Sequence, residues 1–237
     1  LPIQEGVRFQ HHREGLLRQA RDYVPDGPLA VDTDLVIAHR ASDGILAGAR
    51  RFKADCLVMG WKGHTDTRDR IFGEVADQVI RQSPCDLALL KVSGRGMPKR
   101  CLFPTAGGLH AKLAAEMLQV LAPAFGMEVT ACYVVPPNAT DEMRRRANDQ
   151  ISRTLASIPG TFPVERKIIE AGSVAGGITL ESRAYDLVIL GAAREPFLQQ
   201  VIFGEIPEKV ARFSPASVLV VKRYEGHVRS WLKRTLG

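Results

Sequence analysis

The sequence has little of what membrane spans, metal centres and nucleic-acid-binding surfaces are built from. Its richest apolar runs, such as Ser217–Val221, fall far short of the roughly 18 residues that a membrane-spanning helix needs. It contains four cysteines but no CxxC pair, which argues against zinc and redox motifs and favours buried, reduced thiols. Nine Phe, four Tyr and two Trp without basic–aromatic alternation argue against nucleic-acid binding, although the net charge is +6.

Catalytic signatures are also missing. The sequence has no Walker A motif, no G-x-S-x-G, no H-E-x-x-H and no EF-hand loop. The six histidines are scattered, and the adjacent His11 and His12 would point about 100° apart on a helix, so they form no metal-binding face. We therefore predict no catalytic residue and no metal site, and a slow ATPase activity is disfavoured.

The composition is that of a soluble globular protein with two domains. Of the 237 residues, 45% are hydrophobic and 24% are charged, and the mean hydropathy is −0.06. A typical domain has about 100–150 residues, so two cores are expected. The sequence begins without an initiator Met and without a signal-like segment, which predicts that it is a piece of a longer polypeptide.

An internal repeat organises the sequence. Shifting the chain by 131 residues places much of the first half on the second half without a gap. The longest identical run is Ile71–Glu74, which falls on Ile202–Glu205. The other identities include Asp55 with Asp186, Gly60 with Gly191, Val79 with Val210, Ser83-Pro84 with Ser214-Pro215, and Lys91 with Lys222. This register predicts two copies of one fold.

Within each copy, short aliphatic runs alternate with longer helical stretches, which is typical of βαβ units around a parallel sheet. The second copy predicts strand Cys101–Pro104, helix His110–Phe125, strand Glu128–Val135, helix Thr140–Ile158, strand Val164–Glu170, helix Ser173–Arg183, strand Asp186–Leu190, helix Gly204–Phe213 and strand Ser217–Lys222. The first copy predicts helix Gly6–Tyr23, strand Val31–Ala38, helix Ser42–Phe52, strand Asp55–Met59, helix Gly73–Arg81 and strand Asp86–Val92.

The first copy therefore lacks its first two strands and the helix between them, which by the repeat would lie upstream of Leu1. The predicted boundaries are residues 1–92 for the truncated first domain, 93–98 for a linker, 99–224 for the complete second domain, and 225–237 for a basic tail. We expect the first sheet to stay partial or to be completed by another chain. Strand Asp86–Val92 is expected to pair with Ser217–Lys222.

The strongest local motif follows the fourth strand of the first copy. Gly60-Trp-Lys-Gly63, nine further residues and Gly73-Glu74 resemble the glycine motif G-x2-G-x9-G-[S/T] of the universal stress protein family. The resemblance extends over essentially the whole chain. It implies tandem doubly wound α/β domains of the adenine nucleotide alpha hydrolase-like kind, with strand order 3-2-1-4-5 and a fifth strand that pairs across a dimer or tandem interface.

The resemblance also implies a nucleotide site after the first and fourth strands. Small residues at a strand's carboxyl end let backbone amides approach a phosphate, and the next helix offers its positive end. Its ligand would be ATP, AMP or a cyclic dinucleotide. The candidate residues are Gly60, Gly63, Gly73 and Glu74 in the first copy, and Pro104, Thr105, Ala106, Gly107, Val134, Gly191, Arg194, Gly204 and Glu205 in the second.

Several candidates depart from the family pattern. Glu74 and Glu205 replace a hydroxyl residue and would repel phosphate, although a glutamate at a helix start also suits the macrodipole. Ala106 stands where nucleotide-binding members usually carry Asp. Arg194 replaces the middle glycine, where it would either fill the phosphate space or neutralise a bound anion. Both sites are therefore predicted to be degenerate.

The closing stretch from Ile202 and the loop Pro104–Gly108 resemble tandem universal-stress modules at the cytoplasmic C-terminus of amino acid permeases of the amino acid–polyamine–organocation type. This implies a non-catalytic regulatory module on the cytosolic face of the cell membrane, linked to a transmembrane permease region of the same polypeptide and dimerising through its fifth strands. The alternatives are a free-standing ATP- or AMP-binding stress protein and a purely structural dimerisation module.

The tail has an amphipathic pattern. Val228, Trp231, Leu232 and Leu236 recur at helical spacing, and basic residues lie largely elsewhere on that helix. The segment Val228–Leu236 would either contact an anionic membrane surface or pack against helices of the first copy.

Overall fold

The computed structural model describes residues 30–61, 72–94, 96–157, 162–193 and 203–225, together with residues 15, 17–19 and 22. The chain divides into two compact units, Leu1–His39 and Arg40–Gly237. The predicted helix Gly6–Tyr23 lies mostly outside the described residues, and so do Gly63, Arg194 and the tail Val228–Leu236.

In the first unit, the predicted strand Val31–Ala38 is not formed. Residues 30–38 have no regular secondary structure, and the Ile37 side chain is 90% exposed. A parallel strand is stable only beside a neighbour that pairs its backbone N–H and C=O groups. The expected neighbour is the second strand of the first copy, which this sequence does not contain. The prediction of strand Val31–Ala38 was therefore wrong, because the strand that would pair with this segment is missing.

The second unit contains seven strands and six α-helices in the described residues. In chain order these are α1 (Ala41–Arg51), β1 (Cys56–Trp61), α2 (Glu74–Gln82), β2 (Asp86–Lys91), β3 (Arg100–Pro104), α3 (Leu109–Phe125), β4 (Glu128–Val135), α4 (Asp141–Leu155), β5 (Val164–Glu170), α5 (Val174–Glu181), β6 (Leu187–Gly191), α6 (Glu205–Phe213) and β7 (Ser217–Lys222). Local chemistry sets the ends of these elements. Thr140 caps α4 by accepting a hydrogen bond from the Met143 N–H, and left-handed Gly126 ends α3.

All seven strands form one sheet in the order β1-β2-β7-β6-β3-β4-β5. The five strands of the second copy run in the predicted order 3-2-1-4-5, and all of their pairs are parallel. The two copies join through β2 and β7, which pair with each other as predicted; the two strands run antiparallel. Both fifth strands are therefore interior. This corrects the prediction of a homodimer through the fifth strands, because neither strand has a free edge for another chain.

Where β2 and β7 meet, equivalent residues of the two copies make polar contacts across the seam. Ser217 at the start of β7 binds both backbone groups of Ser93, which follows β2. Its counterpart at the start of β2, Asp86, accepts hydrogen bonds from the N–H of Tyr224 and from the guanidinium of Arg223, which follow β7. The side chain at the start of each of these two strands thus binds residues that directly follow the other strand.

The equivalent lysines Lys91 and Lys222 cross the same seam. The Lys91 Nζ donates to the carbonyl of Ser214 at 2.6 Å, and the Lys222 Nζ donates to the carbonyl of Ile80 at 3.2 Å. Each ammonium group therefore lies at the C-terminus of the other copy's last helix, where a positive charge is favoured. Burial lowers the pKa of both lysines.

Helices cover both faces of the sheet except on one side of β1. One core layer joins α1 and α2 of the first copy to α5 and α6 of the second, and the other layer lies under α3 and α4. Three of the four cysteines are buried, as the sequence predicts. Cys56 on β1 is exposed, which corrects that prediction, because the face on which it lies is not covered.

Asp186 gives the second copy a pH-dependent contact. Its Oδ2 accepts hydrogen bonds from the N–H groups of Lys99 and Arg100, each at 2.8 Å, which hold the pKa of Asp186 below 3.8. Because the folded-state pKa is lowered, the stabilisation is complete above 3.8 and is lost as the pH falls through the folded-state pKa.

We expect Asp186→Asn to flatten the acid limb of the stability curve. Melting temperatures measured from about pH 6 to about pH 3 should fall less in the variant than in the unaltered chain, because one titrating carboxylate has been removed. Parallel pH curves for the two proteins would contradict this role of Asp186.

Candidate functional site

The candidate site is a cavity of about 310 Å³ at the carboxyl edge of the second copy's sheet. It lies between the ends of the neighbouring strands β3 and β6, from which the chain continues to helices on opposite faces of the sheet. Doubly wound sheets hold ligands at this position. The lining residues come from four places: Pro104–Ala111 after β3, Cys132–Val134 at the end of β4, Val174 and Ile178 of α5, and Leu190–Ala193, Ile206 and Pro207 around β6 and α6.

The loop after β3 is held by a chain of hydrogen bonds. The Gly107 N–H donates to the Thr105 Oγ1 at 3.1 Å, and the Thr154 hydroxyl donates to the Gln150 carbonyl at 3.0 Å. The Thr154 Oγ1 therefore remains as the acceptor for the Thr105 hydroxyl, 3.1 Å away. The Thr105 hydroxyl is used within this network, so its role is to shape the loop.

Two consecutive left-handed glycines turn this loop into α3. Gly107 has φ +83° and Gly108 has φ +89°. Residues that carry a Cβ atom rarely adopt these backbone angles. Gly108 directly precedes α3 and accepts its first intrahelical hydrogen bond, from the Lys112 N–H. The first N–H groups of a helix have no partner within that helix, and those of α3 begin at the cavity wall.

The end of β6 lies directly against the start of α3. A Cβ atom on Gly191 would lie 2.5 Å from the His110 carbonyl carbon and 2.6 Å from the Ala111 nitrogen. Only a residue without a side chain permits this approach. The His110 ring in turn accepts a hydrogen bond at Nδ1 from the Arg223 N–H at 3.0 Å, which ties the start of α3 to the chain after β7.

The described walls of the cavity carry no Asp, Glu, Lys or Arg side chain. Aliphatic side chains form most of the lining, and burial raises the pKa of the Cys132 thiol, so this group stays protonated at neutral pH. The described walls include the His110 and Tyr133 side chains but no carboxylate beside them, and the cavity can hold a ligand through shape, apolar contact and backbone N–H groups.

Six of the predicted second-copy residues meet at this cavity: Pro104, Thr105, Ala106, Gly107, Val134 and Gly191. Gly204 adjoins it, since a Cβ there would lie 2.4 Å from the Ala193 Cβ. Glu205 is exposed on α6 and forms an ion pair with Lys209, whose hydrogen bond lowers the pKa of Glu205. Glu205 is not among the lining residues.

Sequence reasoning missed much of the wall. The omitted lining residues are Gly108, Leu109, His110, Ala111, Cys132, Tyr133, Val174, Ile178, Leu190, Ala192, Ala193, Ile206 and Pro207. Most are apolar and lie within predicted helices or strands, so they look like ordinary core residues in the sequence. The predicted element ends would have found some of them, because residues at the carboxyl ends of parallel strands converge on one edge.

The first-copy candidates do not form a comparable enclosure in the described residues. Gly60 lies near the end of β1, Gly73 has φ +91° and directly precedes α2, and Glu74 is exposed at the start of that helix. β1 is the last strand on its side of the described sheet, so no counterpart of β3 stands beside Gly60.

Neither a membrane-crossing helix nor a metal-binding cluster was found in the described part of the chain. None of the helices there is both long and apolar enough to span a bilayer. No group of three or more His, Cys, Asp or Glu residues in that part is placed to hold a metal ion.

Comparison with known families and with curated proteins finds one family and one similar protein. The model of the Universal stress protein family matches residues 5–91 and again residues 97–222. Among curated proteins, the chain is similar to the Na(+)/H(+) antiporter NhaS5 of Synechocystis, with 27% identity over 202 residues. The match covers 84% of this chain and 29% of the antiporter, so the chain spans less than a third of that relative's length.

Solved structures show the same fold. A protein of unknown function from Pseudomonas aeruginosa PAO1 matches with a TM-score of 0.64 and 12% identity, covering 95% of this chain and 81% of that one. A universal stress protein from Archaeoglobus fulgidus DSM 4304 matches with a TM-score of 0.54 and 19% identity, covering 78% of this chain and 66% of that one.

Proposed function

The chain belongs to the universal stress protein family, and from this membership we propose that it is a non-catalytic regulatory module of a membrane transporter that responds to a nucleotide. The observation that carries the sensing role is the cavity of about 310 Å³ at the point where β3 and β6 diverge. The observation that favours a transporter is the similarity of 84% of the chain to part of an antiporter.

The proposed ligand is a mononucleotide such as AMP. Ligand cavities of roughly 300–1,000 Å³ are usual, and this one is at the lower end, which favours a mononucleotide over a cyclic dinucleotide. Its apolar walls suit a base, and the start of α3 offers N–H groups and a positive dipole to a phosphate. ATP would need room for two further phosphates outside these walls.

A role in sensing rather than catalysis rests on the wall chemistry. General acid–base catalysis needs a titrating group within hydrogen-bond reach of the reacting atom. The described lining residues include no carboxylate and no lysine, and the His110 ring among them accepts the Arg223 N–H at Nδ1, which ties it to the chain after β7. Ala106, at the place where nucleotide-binding members of the family usually carry Asp, adds no such group. Binding and release of a ligand would then act through the positions of α3 and α6.

The transporter is proposed to lie in the same polypeptide. An amino acid permease is the type that the sequence motifs favour, and the similarity to a cation antiporter makes transport of an ion an equal candidate. The module would sit at the cytosolic face of the membrane, where the tail Val228–Leu236 would contact anionic lipid. A coding sequence upstream of Leu1 that specifies several membrane-spanning helices would support this arrangement. A start codon shortly before Leu1 would support the free-standing stress protein instead.

The sensing role predicts saturable binding of AMP that depends on the cavity. We expect the chain to bind AMP with a Kd below about 1 mM by isothermal titration calorimetry, with ATP and cyclic di-AMP weaker. Ala106→Phe should weaken AMP binding by about tenfold or more, because a phenyl ring at this exposed lining position would fill the mouth of the cavity.

Ala184→Phe is the matched control for this test. Ala184 is exposed like Ala106 but lies in the 3-10 turn after α5, away from the lining residues. Its replacement should leave the affinity for AMP unchanged. Absence of saturable binding for all three nucleotides at about 1 mM would exclude the sensing role and favour the purely structural dimerisation module.

A further inference from the structure

One face of β1 is apolar and exposed, as is the chain that leaves β2 beside it. Val58 is 65% exposed, and it borders a groove of about 900 Å³ together with Ala88, Leu90, Val92 and Val120. Cys56 lies two residues before Val58, on the same side of the strand, and is exposed as well. We call the surface formed by Cys56, Val58 and Val92 the open face; on β2, Leu90 is half-buried and Ala88 is buried in the layer under α3.

The repeat shows what covers this face in the second copy. By the 131-residue register, Cys56 corresponds to Leu187 and Val58 to Ile189. Leu187 and Ile189 are both buried, in the core layer that includes α3, and α3 packs on β6 and β7. The open face is therefore the equivalent surface, and no described helix of the first copy takes the place of α3 over it.

The edge of β1 lacks a partner at the same place. In the second copy, β6 pairs with β7 on one side and with β3 on the other. β1 pairs with β2, and no described strand lies on its other side. An unpaired strand edge next to an exposed apolar face promotes association with other chains, and folded proteins usually cover both.

A third observation concerns Gly60, the counterpart of Gly191. Gly191 must be a glycine because the start of α3 rests against it, whereas a Cβ on Gly60 would meet no atom within 4 Å. Glycine at position 60 therefore provides clearance for a helix start that the described structure does not place there. Among the described residues, the exposed face, the unpaired edge of β1 and the space at Gly60 all fit one kind of segment.

We propose that the open face is the docking surface for a strand–helix segment with the chemistry of β3 and α3. Its strand would pair parallel with β1 in the register that β3 uses with β6, where Leu102 pairs with Val188. Its helix would cross β1 with small and aliphatic residues on the contacting face, as Ala114 and Leu118 provide in α3. In the repeat register residues 1–40 correspond to 132–171, so no stretch of the 237 residues is the first-copy counterpart of β3 and α3.

A second copy of this chain fits the surface less well. The copy's own β3 and α3 are already built into its sheet, so it has no spare segment of this kind. Pairing of two β1 edges would satisfy backbone groups but would place no helix over Val58. Self-association through the open face is therefore the competing outcome in the test.

The direct test is a chimera in which a duplicate of residues 99–171 replaces residues 1–40. This exchange follows the repeat register and joins the duplicate to Ala41, and it leaves residues 41–237 unchanged. Residues 40–237 form one compact unit of the structure, and the chimera keeps all of this unit except Arg40. Cys56 is the reporter, because it is exposed and Cys85, Cys101 and Cys132 are buried.

We expect iodoacetamide to alkylate Cys56 about tenfold more slowly in the chimera than in the 237-residue chain. Val58→Asp in the chimera should restore fast alkylation, because a carboxylate cannot be buried under the docked helix. Leu180→Asp is the matched control, since Leu180 is 63% exposed on α5 and lies away from the open face. Cys56→Ser identifies the reactive thiol.

Three results would overturn the proposal. The first is equal alkylation of Cys56 in the chimera and in the 237-residue chain. The second is a chimera that melts at a lower temperature than that chain, because docking must add stability. The third is a 237-residue chain that sediments as a dimer and becomes a monomer on Val58→Asp, which would show that a second copy covers the open face.

Discussion

Replacement of Gly191 by alanine should destabilise the chain by about 3 kcal/mol and weaken AMP binding. The new Cβ would lie 2.5 Å from the His110 carbonyl carbon and 2.6 Å from the Ala111 nitrogen. Both are backbone atoms at the start of a 17-residue helix, so no side chain can turn aside to make room. Either β6 or α3 must shift, and both form walls of the cavity.

Gly60→Ala is the matched control, because Gly60 holds the same place in the first copy. A Cβ there meets no atom within 4 Å, so the free energy of unfolding should change by less than about 1 kcal/mol. Urea unfolding with a common m-value measures both variants. Equal losses at Gly60 and Gly191 would show that the cost lies in strand propensity and not in contact with α3.

The same pair of variants extends to the proposed docking surface. In the chimera that supplies a second strand–helix segment, Gly60 would face a helix start as Gly191 does. Gly60→Ala should then become costly only in that background. The glycines that the sequence suggested as phosphate contacts therefore have a second role, which is to admit a helix next to a strand.

The sequence predicted the elements of the second copy closely because each one has its partners in the chain. The bounds of β4, β5 and β7 agree residue for residue with the prediction. Strand Val31–Ala38 shows the limit of local patterns, since its aliphatic run resembles that of a strand but no described strand lies beside it. Whether a β-pattern becomes a strand depends on what lies beside it in space.

The site was predicted at its loops and missed at its walls. Glycines and the Thr105 turn carry local signals, because backbone conformation restricts which residue can stand there. Wall residues such as Ile178 and Ile206 are aliphatic and look like core residues, and only the packing of α5 and α6 against the strand ends makes them part of a cavity. A cavity is a property of several elements together, so one stretch of sequence does not contain it.

Phe203→Ala should be the most destabilising single change in the core layer that joins the two copies, at about 3–5 kcal/mol. Phe203 is fully buried, and its ring lies edge-to-face on Phe72 with centroids 5.2 Å apart. Phe72 in turn contacts Trp61 at 4.9 Å. Phe72 and Phe203 are equivalent in the repeat, so one motif places an aromatic ring from each copy at the seam.

Phe213→Ala is the control, because Phe213 is 61% exposed at the end of α6 and its loss should cost less than about 0.5 kcal/mol. A double-mutant cycle with Phe72→Ala then separates the ring contact from the loss of burial, and we expect a coupling of about 0.5–1.5 kcal/mol. Additive losses would mean that each ring stabilises only its own copy. A clear coupling would mean that the repeated Ile-Phe-Gly-Glu motif serves first to join the copies, so a copy whose nucleotide site has degenerated would still keep the motif.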